Sequence, residues 1–292
     1  VTHTRQAMPS SVGLWAGSFV EGLLEDRVAL GAALALVDQC PLGAAAGYGV
    51  PLPLEREFVA ELLGFAKVQA HALNAVGGRA KLDFVVLGAL ATLMLDLARL
   101  SADLIWYSSE GLPYFTLPEA FCTGSSIMPN KRNPDVLELV RARAARVQAH
   151  AGRAFAIAHG QVSGYHRDHQ ECKGALLDGL EVALACVEVL TPLVAGLGVD
   201  EAALAAAMRP ELFAVDAMLD HVKAGRPLRQ AYREVKAQLD QVAAPSDAAA
   251  ALRARAHLGG PGRLELADAA RAVAAARQRA DKAQEALTAA LS

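Results

Sequence analysis

Apolar positions recur at helical spacing along most of this 292-residue chain. Leu14, Val20, Leu24, Val28, Leu34 and Val37 predict one long helix over residues 11–37, ended by Cys40 and Pro41. A stripe of Leu82, Val85, Val86, Ala89, Leu93 and Leu97 predicts a second over residues 80–107, and residues 55–64 a shorter one. Asn133-Pro134-Asp135 reads as a helix start, with Asn133 as N-cap and Pro134 at the first helical position, and the helix runs to Ala158. Residues 171–197 predict another long helix, interrupted or bent at Pro192. Beyond Asp200 the segments shorten, with breaks at Pro210, Gly225 to Pro227, Pro245 and Gly259 to Gly262. Two stretches lack any period: residues 41–53 and residues 108–133, each broken by Gly and Pro.

Short β-branched runs and only 5% aromatic residues favour helix over strand, so the expected fold class is all-α. Helices of about 25 residues are about 37 Å long and pack side by side. The expectation is therefore a long-helix bundle domain over residues 1–203, a smaller C-terminal helical domain over residues 204–292, and self-association through apolar faces too extensive for one chain. A net charge of −3 gives no global positive field, which argues against nucleic acid as a partner. The longest uncharged apolar stretch, Phe84 to Leu95, is about 18 Å as a helix, against about 30 Å of hydrocarbon, so no membrane partner is expected. Cys40, Cys122, Cys172 and Cys186 lack paired spacing, and no basic-then-apolar leader is visible, which together suggest a cytoplasmic setting.

Chemistry concentrates in Gly124-Ser125-Ser126-Ile127-Met128-Pro129-Asn130-Lys131-Arg132-Asn133-Pro134. Loop amides, a lysine, an asparagine and the positive end of the following helix can converge there to hold an anion; a plain capped connection between two helices is the alternative. On that helix Glu138 shares a face with Ala142, Ala145, Ala149 and Gly152, so it is expected either to be buried with a partner or to pair with Arg141 at the surface.

These residues resemble the GSSxMPxKxNP signature of the fumarase/aspartase superfamily. Eight fixed positions match, which by chance is on the order of 10⁻¹⁰ per starting position. Pro41-Leu42-Gly43 with Pro53-Leu54-Glu55-Arg56, and Tyr165-His166-Arg167-Asp168-His169-Gln170-Glu171-Cys172-Lys173, are similar to the PLG loop and the YNKDLQEDK segment of the argininosuccinate lyase family. Thr2-His3-Thr4-Arg5-Gln6-Ala7-Met8-Pro9 resembles the superfamily's THxQxAxP block, with Arg5 in place of glutamine. Leu82 stands where the SxRDFV segment has arginine.

The resemblance implies β-elimination of argininosuccinate to arginine and fumarate, without a metal or other cofactor. It assigns the general base to Ser125. Lys131, Asn133 and Ser126 correspond to groups around the carboxylate that becomes carbanion-like. His3, oriented by Glu138, supports protonation of the departing nitrogen. Thr2, Tyr165, Gln170 and Lys173 fall on positions that contact substrate, and Arg167 replaces a lysine. His166 and His169 replace asparagine and leucine; with no third ligand nearby, a metal there is not expected. The resemblance also implies a homotetramer with shared active sites, and an upstream domain carrying a Ser-Arg-Asn-Asp block. These residues do not contain that block, so the chain alone is expected to be inactive or nearly so. Two other readings stay open: a different fumarate-releasing lyase, or a non-catalytic, crystallin-like structural protein.

Overall fold

The computed structural model describes residues 1–291; Ser292, the last residue of the expected C-terminal domain, lies outside them. About 66% of the chain is helical. Among the described residues, strand is confined to Phe115–Thr116 and Gly198–Val199. The all-α expectation holds.

The helices are α1 (Val12–Val37), α2 (Arg56–Leu62), α3 (Ala72–Gly77), α4 (Arg79–Tyr107), α5 (Asp135–Ala158), α6 (Gln170–Ala195), α7 (Glu201–Ala206), α8 (Ala214–Lys223), α9 (Leu228–Ala237), α10 (Ala248–Arg253) and α11 (Leu266–Leu291). Two of them depart from the sequence reading. Helix α3 lies between the two helices expected over residues 55–64 and 80–107, where the sequence reading assigned no element. The C-terminal segments do not simply shorten, because α11 runs 26 residues on alanine propensity and scattered charge. Pro192 does not interrupt α6. It sits in the last turn, where the Gly196 amide still reaches the Pro192 carbonyl.

The chain forms two compact units. One comprises, among the described residues, 22–109, 115–198 and 275–291. Its centre is α4 packed against α5 and α6. Ala80, Leu87, Ala151, Ala154, Cys172 and Ala175 are buried together, with Phe84, Ile157 and Leu176 against them. Small side chains dominate, so the helices approach closely. At Gly179 a Cβ would stand 2.5 Å from Leu87 Cδ2, so any larger residue there would have to displace the Leu87 side chain. Helix α4 is long and apolar enough to cross a membrane by length and composition. Its apolar residues serve a core instead, for Leu87, Leu90, Met94, Leu97 and Leu104 are buried.

Between α1 and α4 lies a folded connection into which the Arg56 side chain reaches. Arg56 donates to the carbonyls of Leu42 (2.9 Å), Gln69 (2.9 Å) and Ala70 (3.0 Å). Gly43, at φ +74°, lies under its stem; a Cβ there would be 2.9 Å from Arg56 Cγ. The backbone pairing of Cys40 with Lys67 and Gln69 closes the same loop.

The other unit comprises residues 1–21, 110–114 and 199–274. Trp15 and Phe19 pack edge to face. Helices α8 and α9 pair, with Glu234 accepting from His221, Arg226 and Gln230. Arg209 reaches Gln6, donating from Nε at 2.9 Å, which ties the first residues to the rest of this unit.

Candidate active site

The signature segment is a closed loop. Thr123 and Asn133 pair as an antiparallel bridge, with Asn133 N–H donating to Thr123 O at 2.8 Å and Thr123 N–H to Asn133 O at 3.1 Å. The Asn133 side chain closes it further, donating from Nδ2 to Gly124 O at 3.2 Å. Asn133 is therefore not the N-cap that the sequence suggested. Helix α5 begins at Asp135, Pro134 takes the cap position at ψ 41°, and no side chain caps it. Asn133 is held in an extended pair, and its amide is used across the loop.

Inside the loop, Ser125 Oγ accepts from two backbone amides, Met128 at 3.1 Å and Ile127 at 3.3 Å. Two N–H dipoles aimed at one hydroxyl oxygen favour its ionised form. Lys131 N–H donates to Met128 O at 3.1 Å, which turns the chain so that Lys131 shares the loop with Ser125, Ser126 and Asn133. Ser126 and Lys131 are exposed, and Ser125 is half-buried. Arg132 pairs with Glu119 at 3.2 Å. Burial, then Asp135, pushes the thiol pKa of Cys122, just before the bridge, up, with Arg132 opposing.

Glu138 follows one turn into α5 and is exposed, as are Ala142, Ala145, Ala149 and Gly152. Both readings of Glu138 are corrected for the single chain, because it is neither buried nor paired with Arg141 among the described residues. The physical reason is orientation. α5 turns Leu137, Val140, Val147, Ala151 and Ala154 into the core, and the small-residue stripe lies on the other side.

Thr2 and His3 belong to the other compact unit. Thr2 and Arg5 exchange backbone hydrogen bonds of 2.9 and 2.8 Å, which puts His3 (φ 50°) and Thr4 (φ 59°) in the left-handed region at the tip of a tight turn. A β-branched residue there costs on the order of 1–3 kcal/mol. The turn presents an exposed His3.

Tyr165 and Gln170 come together, Gln170 Nε2 donating to Tyr165 Oη at 3.3 Å. His166 Nε2 donates to Val162 O at 2.9 Å, while His169 is 3% exposed. Lys173 lies one helical turn beyond His169 and lines a cavity of about 690 Å³ with Arg79, Asp83, Gln69 and His169. Burial raises the Asp83 pKa, with Arg79 and His169 opposing; burial and then Arg79 lower that of His169. Sequence reasoning missed Arg79 and Asp83 as partners of the Tyr165–Lys173 segment. It also missed the clasp by Arg56, although the Pro53–Arg56 motif was its signal.

An all-helical bundle with this serine loop before a helix defines a class, and residues 1–149 match the family model described as Lyase. The chain belongs to that lyase family. It is 48% identical over 270 residues to the argininosuccinate lyase of Sorangium cellulosum (strain So ce56), covering 92% of this chain and 62% of that one. The chain thus spans less than two thirds of the length of such relatives. Among solved structures, an EDDS lyase in complex with formate superposes with a TM-score of 0.86 at 21% identity, covering 99% of this chain and 66% of that one. The class II fumarase of Schistosoma mansoni gives a TM-score of 0.70 at 20% identity, with coverage of 84% and 60%. These two likenesses establish the fold.

Proposed function

We propose that this chain carries the elimination machinery of an argininosuccinate lyase. The observation that supports it most is the pair of amides on Ser125 Oγ within a loop that also holds Lys131. In the reaction, Ser125 as alkoxide takes a proton from the carbon beside a carboxylate, and the Met128 and Ile127 amides hold its charge beforehand. The electron pair left behind delocalises into that carboxylate, which Lys131, Ser126 and the second N–H of Asn133 accommodate. The carbon–nitrogen bond then breaks, the nitrogen takes a proton, and fumarate and arginine separate.

Thr2, Tyr165, Gln170 and Lys173 bind the substrate ends. His3 supports protonation of the leaving nitrogen, oriented by Glu138 of another chain in a homotetramer whose sites are shared between subunits. The exposed Glu138 face, with Ala142, Ala145, Ala149 and Gly152, offers the close approach such an assembly needs. The setting is arginine biosynthesis in the cytoplasm.

The test is ultraviolet detection of fumarate released from argininosuccinate, adenylosuccinate and aspartate, using the protein as it occurs in its source cells. Argininosuccinate alone is expected to react, and Ser125→Ala to lower kcat by about 10²–10⁴-fold. Turnover unchanged in Ser125→Ala would remove the base, and release from another substrate would reassign the enzyme.

A further inference from the structure

The base of the serine loop holds more charge than its hydrogen bonds use. Asp135, the first residue of α5, has a buried Oδ1 with no partner among the described residues. It lies two positions beyond Asn133, whose pairing with Thr123 closes the loop. Arg132, one position before Asn133, turns outward instead and donates to Glu119 Oε1 at 3.2 Å. The Glu119 side chain is 82% exposed, so that ion pair lies in water and is weak. A Cβ on Gly124 would stand 3.9 Å from Arg132 Nη1, which puts the guanidinium beside the residue that precedes Ser125. Cys122, on the opposite stem, is acted on by Asp135, Arg132 and Glu119 together, so the three charges share one end of the loop. Lys131 and Arg132 stand against Glu119, Asp135 and, one turn into α5, Glu138, so there is no surplus of positive charge. The guanidinium is held by the wetter of two carboxylates, while the drier one lacks a donor.

We infer that Asp135 is a positioning residue, a second seat to which Arg132 moves from Glu119 when a dicarboxylate enters the serine loop. An incoming dicarboxylate adds negative charge near an uncompensated Asp135, and pairing with Arg132 removes that penalty, so ligand binding and the transfer stabilise each other. Arg132 borders Gly124 and directly precedes Asn133, so its move acts on both stems of the loop that carries Ser125. Glu119 is the competing seat, and the free protein uses it. This inference rests on the lyase reading for the identity of the dicarboxylate, the succinyl part of the substrate, and adds the control of the same site.

The experiment measures succinate binding by calorimetry, beside the fumarate assay, in the protein as it occurs in its source cells. Asp135→Asn, which keeps the shape of the side chain, is expected to weaken succinate about tenfold, the worth of one hydrogen bond to a charged group. Mere removal of a negative charge near an anion acts the other way and tightens it. Glu119→Gln frees Arg132 from the outer seat and is expected to tighten succinate about threefold. Arg132→Gln, at an exposed position, is expected to weaken it about tenfold, and Asp135→Asn to add nothing in that background. Equal or tighter binding in Asp135→Asn overturns the inference, as does a loss of about a hundredfold in the double variant. Unchanged or weaker binding in Glu119→Gln also overturns it, which keeps the test decisive if Asp135→Asn fails to fold. No succinate uptake by the parent does the same. Succinate shifts as expected, with no fumarate from argininosuccinate, uphold the second seat and remove the lyase reading; fumarate release with succinate affinity unmoved by Asp135→Asn does the reverse.

Discussion

Replacing Arg56 by methionine isolates the clasp that shapes the connection between α1 and α4. The variant keeps the aliphatic stem over Gly43 and removes three donors, those to Leu42, Gln69 and Ala70. At about 1.5–3 kcal/mol for each bond to a charged group, the three would total about 5–9 kcal/mol if all were dry. They are not, because Leu42 and Ala70 are exposed and water can replace the arginine there. Gln69 is buried, and its carbonyl loses a partner that water reaches poorly. The expected loss is therefore about 2 kcal/mol, carried mainly by one bond. Hydrogen exchange provides the assay: the Cys40 and Gln69 amides, which bond to Lys67 O and Cys40 O, should exchange about 30-fold faster. Arg56→Lys should fall between, since one ammonium cannot span three carbonyls. Protection of those two amides within threefold of the parent would refute the clasp.

Gly179→Ala forces a methyl toward Leu87 and should cost about 1–3 kcal/mol in urea unfolding, with partial recovery on adding Leu87→Ala. Asp26 is buried beside Asp96 and its pKa is raised, first by burial and then by that neighbour. The folded state therefore holds the proton more tightly, so this contribution is present at acid pH and is lost as pH rises through the folded pKa. Asp26→Asn should flatten that fall in urea midpoint between acid and neutral pH, and an unchanged slope would contradict it. Asp178 behaves oppositely. The His150 hydrogen bond, then Arg146, depresses its pKa, so its contribution is present at neutral pH and is lost as pH falls through the folded value; Asp178→Asn should lower stability at neutral pH but not in strong acid.

Local signals were legible in the chain itself. The apolar period of residues 80–107 gave α4 within a residue, because a helix that must bury one face writes that face at helical spacing. The serine loop was legible because its chemistry is contiguous: Ser125, Ser126, Lys131 and Asn133 lie within nine positions, and backbone turns alone bring them together. Helix α11 was less legible, since alanine-rich segments carry propensity but little pattern. The Asn133 cap was misread because Asn-Pro-Asp fits a helix start equally well when the asparagine is already paired with Thr123.

Sequence alone thus determined the helical class, the position of the serine loop and the kinship with lyases, each written in short-range spacing. Tertiary structure decided which side of α5 faces solvent, how Arg56 gathers three distant carbonyls, and that His169 meets Arg79 and Asp83 from another helix. Spacing along a chain fixes what neighbours can do within a few turns. Contacts between helices depend on side-chain volumes and approach distances, such as the missing Cβ of Gly179 against Leu87, which no single segment encodes.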